Sequence, residues 1–423
     1  MPRIAWSRVR FSVVAGTCVA SCVAGCSADD TRDETRPSPF DTTEELPSSR
    51  FELLVATPRG PAGIPTQPAN NNLDVAVFGG RTYLAWRTAP THFASAAAEI
   101  LVVSEGEDGF RFEGRFTLST DLREPRLLAM GDRLVLYFAV LGTDPLAFEP
   151  QGTMATEYLG PDDWTAPKSV YLPGFIPWRA RVVDGRAFLI GYEGGENIYQ
   201  FNGDPLRVHL LTTEDGFTFE PANPDEPILL EGGVSETDFA LLDDGSIVLV
   251  GRNEAGDERF GFGSVICRSA PGGFGDLRCV SDPRKFDSPL VLSANGAVWL
   301  FARRNVTPTG DYDLGYGLLP LEEQAVAYES AYTLAPKRCA LWRVDPDSLE
   351  VSWVQDLPSR GDTCFPAATV QSDTVTVYNY TNSLHDLLDC ADWPTSCSDI
   401  PWGEGQLRPT EIYRMDLALP PPE

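Results

Sequence analysis

A theme of about 55 residues recurs along most of this chain and constrains its fold more than any other feature. Each unit has two apolar runs joined by a turn rich in Gly, Asp or Asn, followed by a loop, a third run, a second turn and a fourth run. The clearest turn is the Asp244-Gly245 step, which stands between two apolar runs and therefore predicts a β-hairpin. Six units can be recognised, and they begin at Asn72, Pro125, Trp178, Thr237, Ser288 and Phe365.

Four-stranded units at this spacing are typical of a β-propeller. We therefore predict an all-β fold, a six-bladed propeller of four-stranded antiparallel blades over residues 51–417, with a tail at 418–423. The sixth unit lacks its outermost strand, and residues 51–58 form an apolar run outside any unit. Pairing of this N-terminal strand with the last unit would close the ring and remove an open sheet edge. The long fifth unit leaves five or seven blades as alternatives, and a stack of sandwich domains would leave the N-terminal strand unexplained.

The N-terminus reads as a targeting signal. An apolar run at residues 11–23 is too short to span a bilayer as a helix. It follows a basic region that contains Arg3, Arg8 and Arg10. The tetrapeptide Val-Ala-Gly-Cys ending at Cys26 resembles the lipobox of bacterial lipoproteins. The resemblance implies a signal peptide at 1–25 and lipidation of Cys26, with a similar tetrapeptide ending at Cys22 as the alternative.

Residues 26–50 are polar, acidic and poor in apolar side chains, which predicts a disordered tether. Ser27 follows the modified cysteine where an Asp would resemble an inner-membrane sorting signal. We therefore expect an exported protein that is lipid-anchored in the outer membrane, with its side of that membrane left open.

Cysteine parity agrees with export, because cleavage before Cys26 leaves six further cysteines and an oxidising compartment favours disulfides. Their spacing favours the local pairs Cys267–Cys279 and Cys390–Cys397, and Cys339–Cys364 then follows by elimination. No metal-binding cysteine spacing is present, and no cofactor is expected. The formal net charge of −28 argues against nucleic acid as a partner. A monomer is expected.

Polar residues recur on the predicted inner strands, which a propeller gathers around its central channel. Glu236 opens the hairpin and Arg252 closes it, so antiparallel pairing brings the two together at one sheet edge. Asp238 shares the face of Glu236 because strands have a period of two. The recurrence predicts a mixed cluster of arginines and carboxylates at one mouth of the channel. Its further candidate substrate-binding members are Arg87, Trp178, Arg179, Arg181, Asp287 and Arg303.

Two turns resemble the Asp-box of sialidase-like propellers. Residues 213–219 (TEDGFTF) match better than residues 104–112, and both stand between the third and fourth strands of their units. The role implied is structural, since the Asp side chain satisfies turn N–H groups and the aromatic residue packs between strands.

The whole of residues 51–417 resembles the sialidase-type six-bladed propeller superfamily. In that superfamily a Glu on the inner strand of one blade is followed across a Gly turn by an Arg, a further Arg comes from the next blade, and a Tyr comes from the last blade. The resemblance implies that Arg252 and Arg303 (or Arg304) bind a substrate carboxylate. It also implies that Tyr378 (or Tyr380) is a nucleophile activated by Glu236. Two positions differ from the family's pattern. Asparagines occupy 70–72 where the family has an arginine, and His92 lies in the loop where the family has an acidic Asp.

Two other interpretations use the same channel. Arg123-Glu124-Pro125 is similar to a motif of arabinanase- and fructosidase-type propellers, and Asp74, Glu124 and Glu236 would then be general base, pKa modulator and general acid. The third interpretation is a non-catalytic platform for glycan or protein, with Trp178 and Tyr380 in the funnel. The sequence therefore favours a lipid-anchored propeller that binds a carbohydrate, with glycoside hydrolysis or non-catalytic binding as alternatives.

Overall fold

The computed structural model describes residues 40, 46–49, 51–199, 205–371, 373–384 and 399–421. They form six antiparallel sheets, arranged as the blades of a propeller, and this confirms the predicted fold. The N-terminal strand is β1 (Glu52–Val55). Blade 1 follows with β2 (Ala69–Phe78), β3 (Arg81–Ala89), β4 (Glu99–Gly106) and β5 (Gly109–Phe116). Blade 2 contains β6 (Asp121–Met130), β7 (Arg133–Leu141) and β8 (Pro150–Gly160), with β9 (Asp163–Trp164) and β10 (Lys168–Val170) both pairing with β8.

The third and fourth blades follow in chain order, and the predicted Asp-Gly hairpin lies in blade 4. Blade 3 contains β11 (Ile176–Val183), β12 (Arg186–Glu193) and β13 (Leu206–Thr213), with β14 (Glu220–Pro221) and β15 (Leu230–Gly232) pairing with β13. Blade 4 contains β16 (Thr237–Leu241), β17 (Ile247–Asp257), β18 (Gly261–Arg268) and β19 (Arg278–Asp282). The Asp-Gly turn joins β16 to β17 as predicted.

The last two blades carry the two α-helices of the described chain, and 3-10 turns occur at Pro61–Gly63 and Gly195–Asn197. Blade 5 contains β20 (Asp287–Ala294), β21 (Ala297–Asn305), β22 (Lys337–Val344) and β23 (Val351–Leu357), with helix α1 (Leu321–Leu334) between β21 and β22. Blade 6 contains β24 (Ala367–Gln371), β25 (Thr374–Asn382) and β26 (Thr410–Ala418), with the short helix α2 (Trp402–Gly405) before β26. Among the described residues, neither helix combines the length and apolar character needed to cross a bilayer.

The ring closes as the sequence predicted. β1 pairs antiparallel with β26, so the N-terminal strand is the outermost strand of blade 6. Contacts extend further towards the N-terminus than the predicted start at residue 51: Ser48 bridges to Leu417, and the Leu46 amide donates to Gln355 Oε1 at 2.7 Å. At least this part of the predicted tether therefore lies against blades 5 and 6.

The better Asp-box has the predicted structural role. Asp215 Oδ1 accepts hydrogen bonds from the amides of Phe217 (2.7 Å) and Thr218 (2.6 Å). Phe219 packs against Tyr137 of blade 2 with ring centroids 5.9 Å apart, and the Tyr137 hydroxyl donates to the Gly216 carbonyl at 2.8 Å. The turn therefore links neighbouring blades.

Two of the three predicted disulfides are confirmed. Cys267 pairs with Cys279 across β18 and β19, and Cys339 pairs with Cys364 between blades 5 and 6. Cys390 and Cys397 lie outside the described residues, as do Cys22 and Cys26.

The inner strands are bulged near the channel. The pairing register shifts within β2, β6, β11 and β20. Three non-glycine residues at these bulges have left-handed backbone: Asn72 (φ 44°), Glu124 (φ 51°) and Ser288 (φ 54°). A bulge re-aims the side chains beside it, and backbone strain of this kind is often found at functional sites. The bulges therefore set which polar side chains face the mouth.

Candidate functional site at the channel mouth

Glu236 and Arg252 meet as the hairpin predicted. Arg252 Nη1 lies 3.1 Å from Glu236 Oε1, and the Arg252 amide donates to the Glu236 carbonyl at 2.8 Å. The same Nη1 lies 3.3 Å from Glu254 Oε2, and Arg252 Nε donates to Ser235 Oγ at 3.0 Å. One guanidinium group thus already serves several acceptors of its own chain.

Asp287 joins the two predicted arginines. Its Oδ1 lies 3.1 Å from Arg252 Nη1, and its Oδ2 accepts from Arg303 Nη1 at 2.8 Å. Oδ2 also accepts from the Tyr332 hydroxyl of helix α1 at 2.7 Å. Asp287 is buried, so this internal carboxylate occupies the position between the arginines that an anionic ligand would need. The geometry is that of a carboxylate receptor already filled.

Tyr380 belongs to a second chain of contacts on the blade 6 side. Its hydroxyl donates to Asp362 Oδ1 at 2.9 Å and lies 3.4 Å from Arg303 Nη2. The other oxygen of Asp362 is 2.8 Å from His92 Nδ1, in the loop of blade 1. Tyr380 therefore connects blade 5 to blade 1 through Asp362, and its hydrogen bond goes to Asp362 rather than Glu236.

Helix α1 contributes Glu329 and Tyr332 to a buried polar cluster beside Asp287 and Glu254. Lys285 Nζ contacts Glu254 and lies 3.3 Å from Glu329 Oε2 of α1. The Tyr312 hydroxyl donates to the same Glu329 oxygen at 3.3 Å. The insertion in blade 5, which the sequence showed only as a long loop, thus contributes Glu329 and Tyr332 to the site.

The neighbouring carboxyl groups of Glu236 and Asp287 have pKa values shifted in opposite directions. Removal from water raises the pKa of Glu236 to about 8, an effect that Arg252 opposes and the nearby Asp287 reinforces. Burial also disfavours the ionised form of Asp287, but Arg303, Lys285 and Arg252 outweigh it and hold the pKa of Asp287 well below its ordinary value. At neutral pH, Glu236 therefore retains a proton while Asp287 is ionised.

Four predicted substrate-binding residues fill the channel below the mouth. Trp178 is completely buried and packs on Phe365 with ring centroids 5.2 Å apart. Arg179 Nη2 donates to the Pro289 carbonyl at 3.0 Å, and Arg181 pairs with Asp238. Asp238 Oδ2 also accepts from the Val291 amide at 2.7 Å, so these groups join blades 3, 4 and 5.

Asp74 and Glu124 lie between blades 1 and 2. Asp74 is buried and its Oδ2 accepts from the Leu127 amide at 2.8 Å, so it links inner strands of the two blades. Glu124 Oε1 accepts from Asn72 Nδ2 at 3.1 Å, and its side chain remains 14% exposed. Burial raises the pKa of Glu124.

Two predicted residues are engaged away from this cluster. Arg87, a predicted substrate-binding residue, is instead fully buried and pairs with Asp121 of blade 2 at 2.7 Å, which makes it an inter-blade ion pair. Tyr378 lies two residues before Tyr380 on β25, close to Arg414. Of the alternatives left open by the sequence, the structure brings Tyr380 to the mouth and not Tyr378. Likewise Arg303 faces the mouth, and Arg304 pairs with Asp356.

The structure adds site residues outside the predicted set. Asp362 and His92 are far apart in the sequence, and they meet because closure of the ring places blade 6 beside blade 1. Glu254, Lys285 and Glu329 gave no local signal. Tyr199 follows the 3-10 turn Gly195–Asn197, and its hydroxyl lies 3.3 Å from Glu254 Oε2. In the described ranges, no group of three or more His, Cys, Asp or Glu side chains is arranged to hold a metal ion.

Comparisons with known proteins support the fold and do not show a family or an activity. No family model matches the chain, and no curated protein matches its sequence. A solved protein of unknown function from Dyadobacter fermentans DSM 18053 superposes with a TM-score of 0.57 at 15% identity, covering 89% of this chain and 99% of that one. The phage phi92 endosialidase gives 0.54 at 10% identity, covering 89% of this chain and 70% of that one.

A mutant of Trypanosoma rangeli sialidase that displays trans-sialidase activity gives a TM-score of 0.55 at 11% identity. The match covers 88% of this chain but only 59% of that protein, so this chain spans less than two thirds of its length. Taken with the six sheets, these similarities define the class: a six-bladed β-propeller with the fold of sialidases and endosialidases. The resemblance inferred from the sequence is confirmed at the level of fold.

Proposed function

We propose that this protein binds a neutral carbohydrate at the channel mouth. The observation that carries the proposal is the bridging of Arg252 and Arg303 by Asp287. A ligand carboxylate would have to displace a group that its own chain holds at high effective concentration. An uncharged ligand has no such competitor, so the site favours neutral sugars over sialic acids.

Tyr199 supplies an aromatic surface beside these polar groups. Its side chain is 46% exposed, and Phe148 supports the ring edge-on at a centroid distance of 6.2 Å. An amphipathic ring that is half open to solvent can pack on the apolar face of a sugar. The side chains of Glu124 and Glu236 are largely buried, at 14% and 11% exposed, and Glu236 already contacts Arg252 and the Ser288 amide. The remaining lone pairs of the two carboxyl groups can accept from sugar hydroxyls.

A glycan array followed by titration calorimetry tests this proposal. We expect retention of neutral glycans, and loss of binding in Tyr199→Ala. Tyr316→Ala is a matched control because Tyr316 is also 46% exposed but lies in the blade 5 insertion. Equal binding by wild type and Tyr199→Ala, or equal losses in both variants, would contradict the assigned platform.

Glycoside hydrolysis is a second candidate, and the opposite protonation of Glu236 and Asp287 favours it. A carboxyl that keeps its proton at neutral pH beside an ionised one is the arrangement of an acid and its partner. Both groups contact the same Arg252 nitrogen at 3.1 Å, so those oxygens are at most twice that distance apart. In this assignment Glu236 is the general acid.

A panel of neutral aryl glycosides separates the two candidates. Hydrolysis predicts turnover that Glu236→Gln abolishes while glycan binding persists, since the amide keeps the size of the side chain but carries no transferable proton. Glycan binding without turnover in the wild type would support non-catalytic binding and exclude hydrolysis of these substrates. Turnover that survives in Glu236→Gln would contradict the assignment of the acid.

We also propose that the chain is exported and lipid-anchored through Cys26. The lipobox-like tetrapeptide supports this, and the two disulfides agree with an oxidising compartment. Labelling with a radioactive fatty acid should mark the wild type and Cys22→Ser but not Cys26→Ser. Labelling that is lost only in Cys22→Ser would move the anchor to the alternative cysteine.

A further inference from the structure

The blade 5 insertion presents an unusual concentration of exposed apolar side chains. Of the 17 large apolar side chains that are exposed in the described ranges, seven lie within residues 314–334. They are Leu314, Tyr316, Leu318, Leu319, Leu321, Val326 and Leu334. Leu318 is fully exposed, at 102% of its reference area. Exposed apolar side chains concentrated in one short segment mark an interaction site more often than scattered single residues do.

The segment 314–321, which we call the apolar loop, is held in place by hydrogen bonds. The Tyr316 amide donates to the Tyr328 hydroxyl of α1 at 2.8 Å. Gln324 Nε2 donates to the Leu319 carbonyl at 2.7 Å, and the Leu319 amide donates to the Tyr316 carbonyl at 2.9 Å. The loop is thus fixed to the body of the protein while its leucines point to solvent.

Phe40, on the C-terminal side of the proposed anchor, lies beside the blade 5 insertion. Phe40 packs edge-on against Trp342 and Trp353 with centroid distances of 6.1 and 5.7 Å. Its ring is so close to Gly310 that a Cβ there would lie 2.6 Å from Cζ. Thirteen residues separate Cys26 from Phe40, a length of chain that reaches at most about 50 Å. A bilayer that holds Cys26 is therefore within reach of the insertion.

The charge of the insertion distinguishes between possible occupants. No Lys or Arg occurs between Arg304 and Lys337, whereas Asp311, Asp313, Glu322, Glu323 and Glu329 do. In a symmetric dimer the same acidic residues of two copies would face each other, which opposes self-association through this surface. A zwitterionic lipid surface has no such repulsion and accepts apolar side chains.

We propose that the apolar loop inserts into the surface of the bilayer that carries the lipid anchor. The proposal rests on the lipidation proposed above, and it adds a second contact that would fix the orientation of the propeller. The lipid anchor keeps the apolar loop at high effective concentration near the bilayer, so a weak apolar contact is enough to add to membrane binding.

The test uses the full lipidated chain with Leu318→Cys, labelled with an environment-sensitive fluorophore and reconstituted into phosphatidylcholine vesicles. The exposed position makes this substitution compatible with folding. Leu159→Cys in β8 is the matched control, because Leu159 is 61% exposed on blade 2. The chain without an introduced cysteine gives the labelling background.

We expect a shift of emission to shorter wavelength at position 318 on vesicles, no shift at 159, and a smaller shift when anionic phosphatidylglycerol is added. Co-flotation without a shift at 318 would overturn the docking proposal and leave the anchor intact. A wild-type chain that carries no lipid would contradict both the proposed lipidation and this proposal. A concentration-dependent shift without vesicles would identify a second copy as the occupant, and would also overturn it.

Discussion

Truncation of Asp287 to Ala tests whether its carboxylate occupies the position between Arg252 and Arg303. The change removes the carboxylate that contacts Arg252, Arg303 and Tyr332, and it leaves two buried guanidinium groups with less compensation. Breaking a buried ion pair by deleting one partner costs about 3–5 kcal/mol. We therefore expect Asp287→Ala to lower the free energy of unfolding by that amount, measured by urea denaturation.

The vacated position should also accept a carboxylate from solution. Formate has the size of the group that the substitution removes, so it should stabilise Asp287→Ala and leave the wild type unchanged. At ten times its Kd, formate would restore about 1.4 kcal/mol. Sodium chloride at equal ionic strength controls for screening. Asp347→Ala removes an acid that pairs with Arg268 but is 90% exposed, so this variant should show neither the loss nor the rescue.

Two outcomes would refute the reasoning. A stability of Asp287→Ala equal to that of wild type would mean that the carboxylate does not hold the arginines in solution. Equal stabilisation of both proteins by formate would mean that the anion acts elsewhere on the surface.

Four further predictions follow from the structure. Because the pKa of Glu236 is raised in the folded state, this group makes the free energy of unfolding fall as pH rises from about 4.5 to about 8. Glu236→Gln should remove that part of the pH dependence when stability is measured by urea denaturation at several pH values. Replacing both Cys339 and Cys364 by Ala opens a link across 25 residues and should cost about 3 kcal/mol in the same assay. Asp215→Ala removes the acceptor of two turn amides and should cost about 1–3 kcal/mol without changing glycan affinity in calorimetry. Deletion of the chain through Val55 exposes the edge of β26 and should produce aggregates in light scattering.

Much of the fold could be predicted from local signals. Gly- and Asp-containing turns mark hairpins by themselves, and the N-terminal strand had to pair with the incomplete last unit. Helix α1 was missed because its exposed face carries Leu321, Val326 and Leu334, while its buried face includes Gln324. Apolar residues on the solvent side blur the helical period on which such a prediction depends.

The candidate site was predictable as a collection of residues but not as an arrangement. Glu236 and Arg252 face each other because a short hairpin fixes both. The bulge after Asp287 places that carboxylate between the arginines, and a single shift of register of this kind leaves no trace in residue spacing. Trp178 lies on β11, the inner strand of blade 3, and Tyr380 lies on β25, the second strand of blade 6, and both side chains are buried. The sequence does not show that Trp178 packs on Phe365 while the Tyr380 hydroxyl donates to Asp362.

Binding of matched glycans to the wild type tests the central claim most directly. The claim is that Asp287 fills the arginine pair, so the mouth selects neutral sugars. Titration calorimetry should be run with a neutral glycan retained on the array and with the same glycan carrying a terminal sialic acid. We predict that the neutral glycan binds at least as tightly as its sialylated form. Binding confined to the sialylated form, and lost in Arg303→Ala, would contradict the claim.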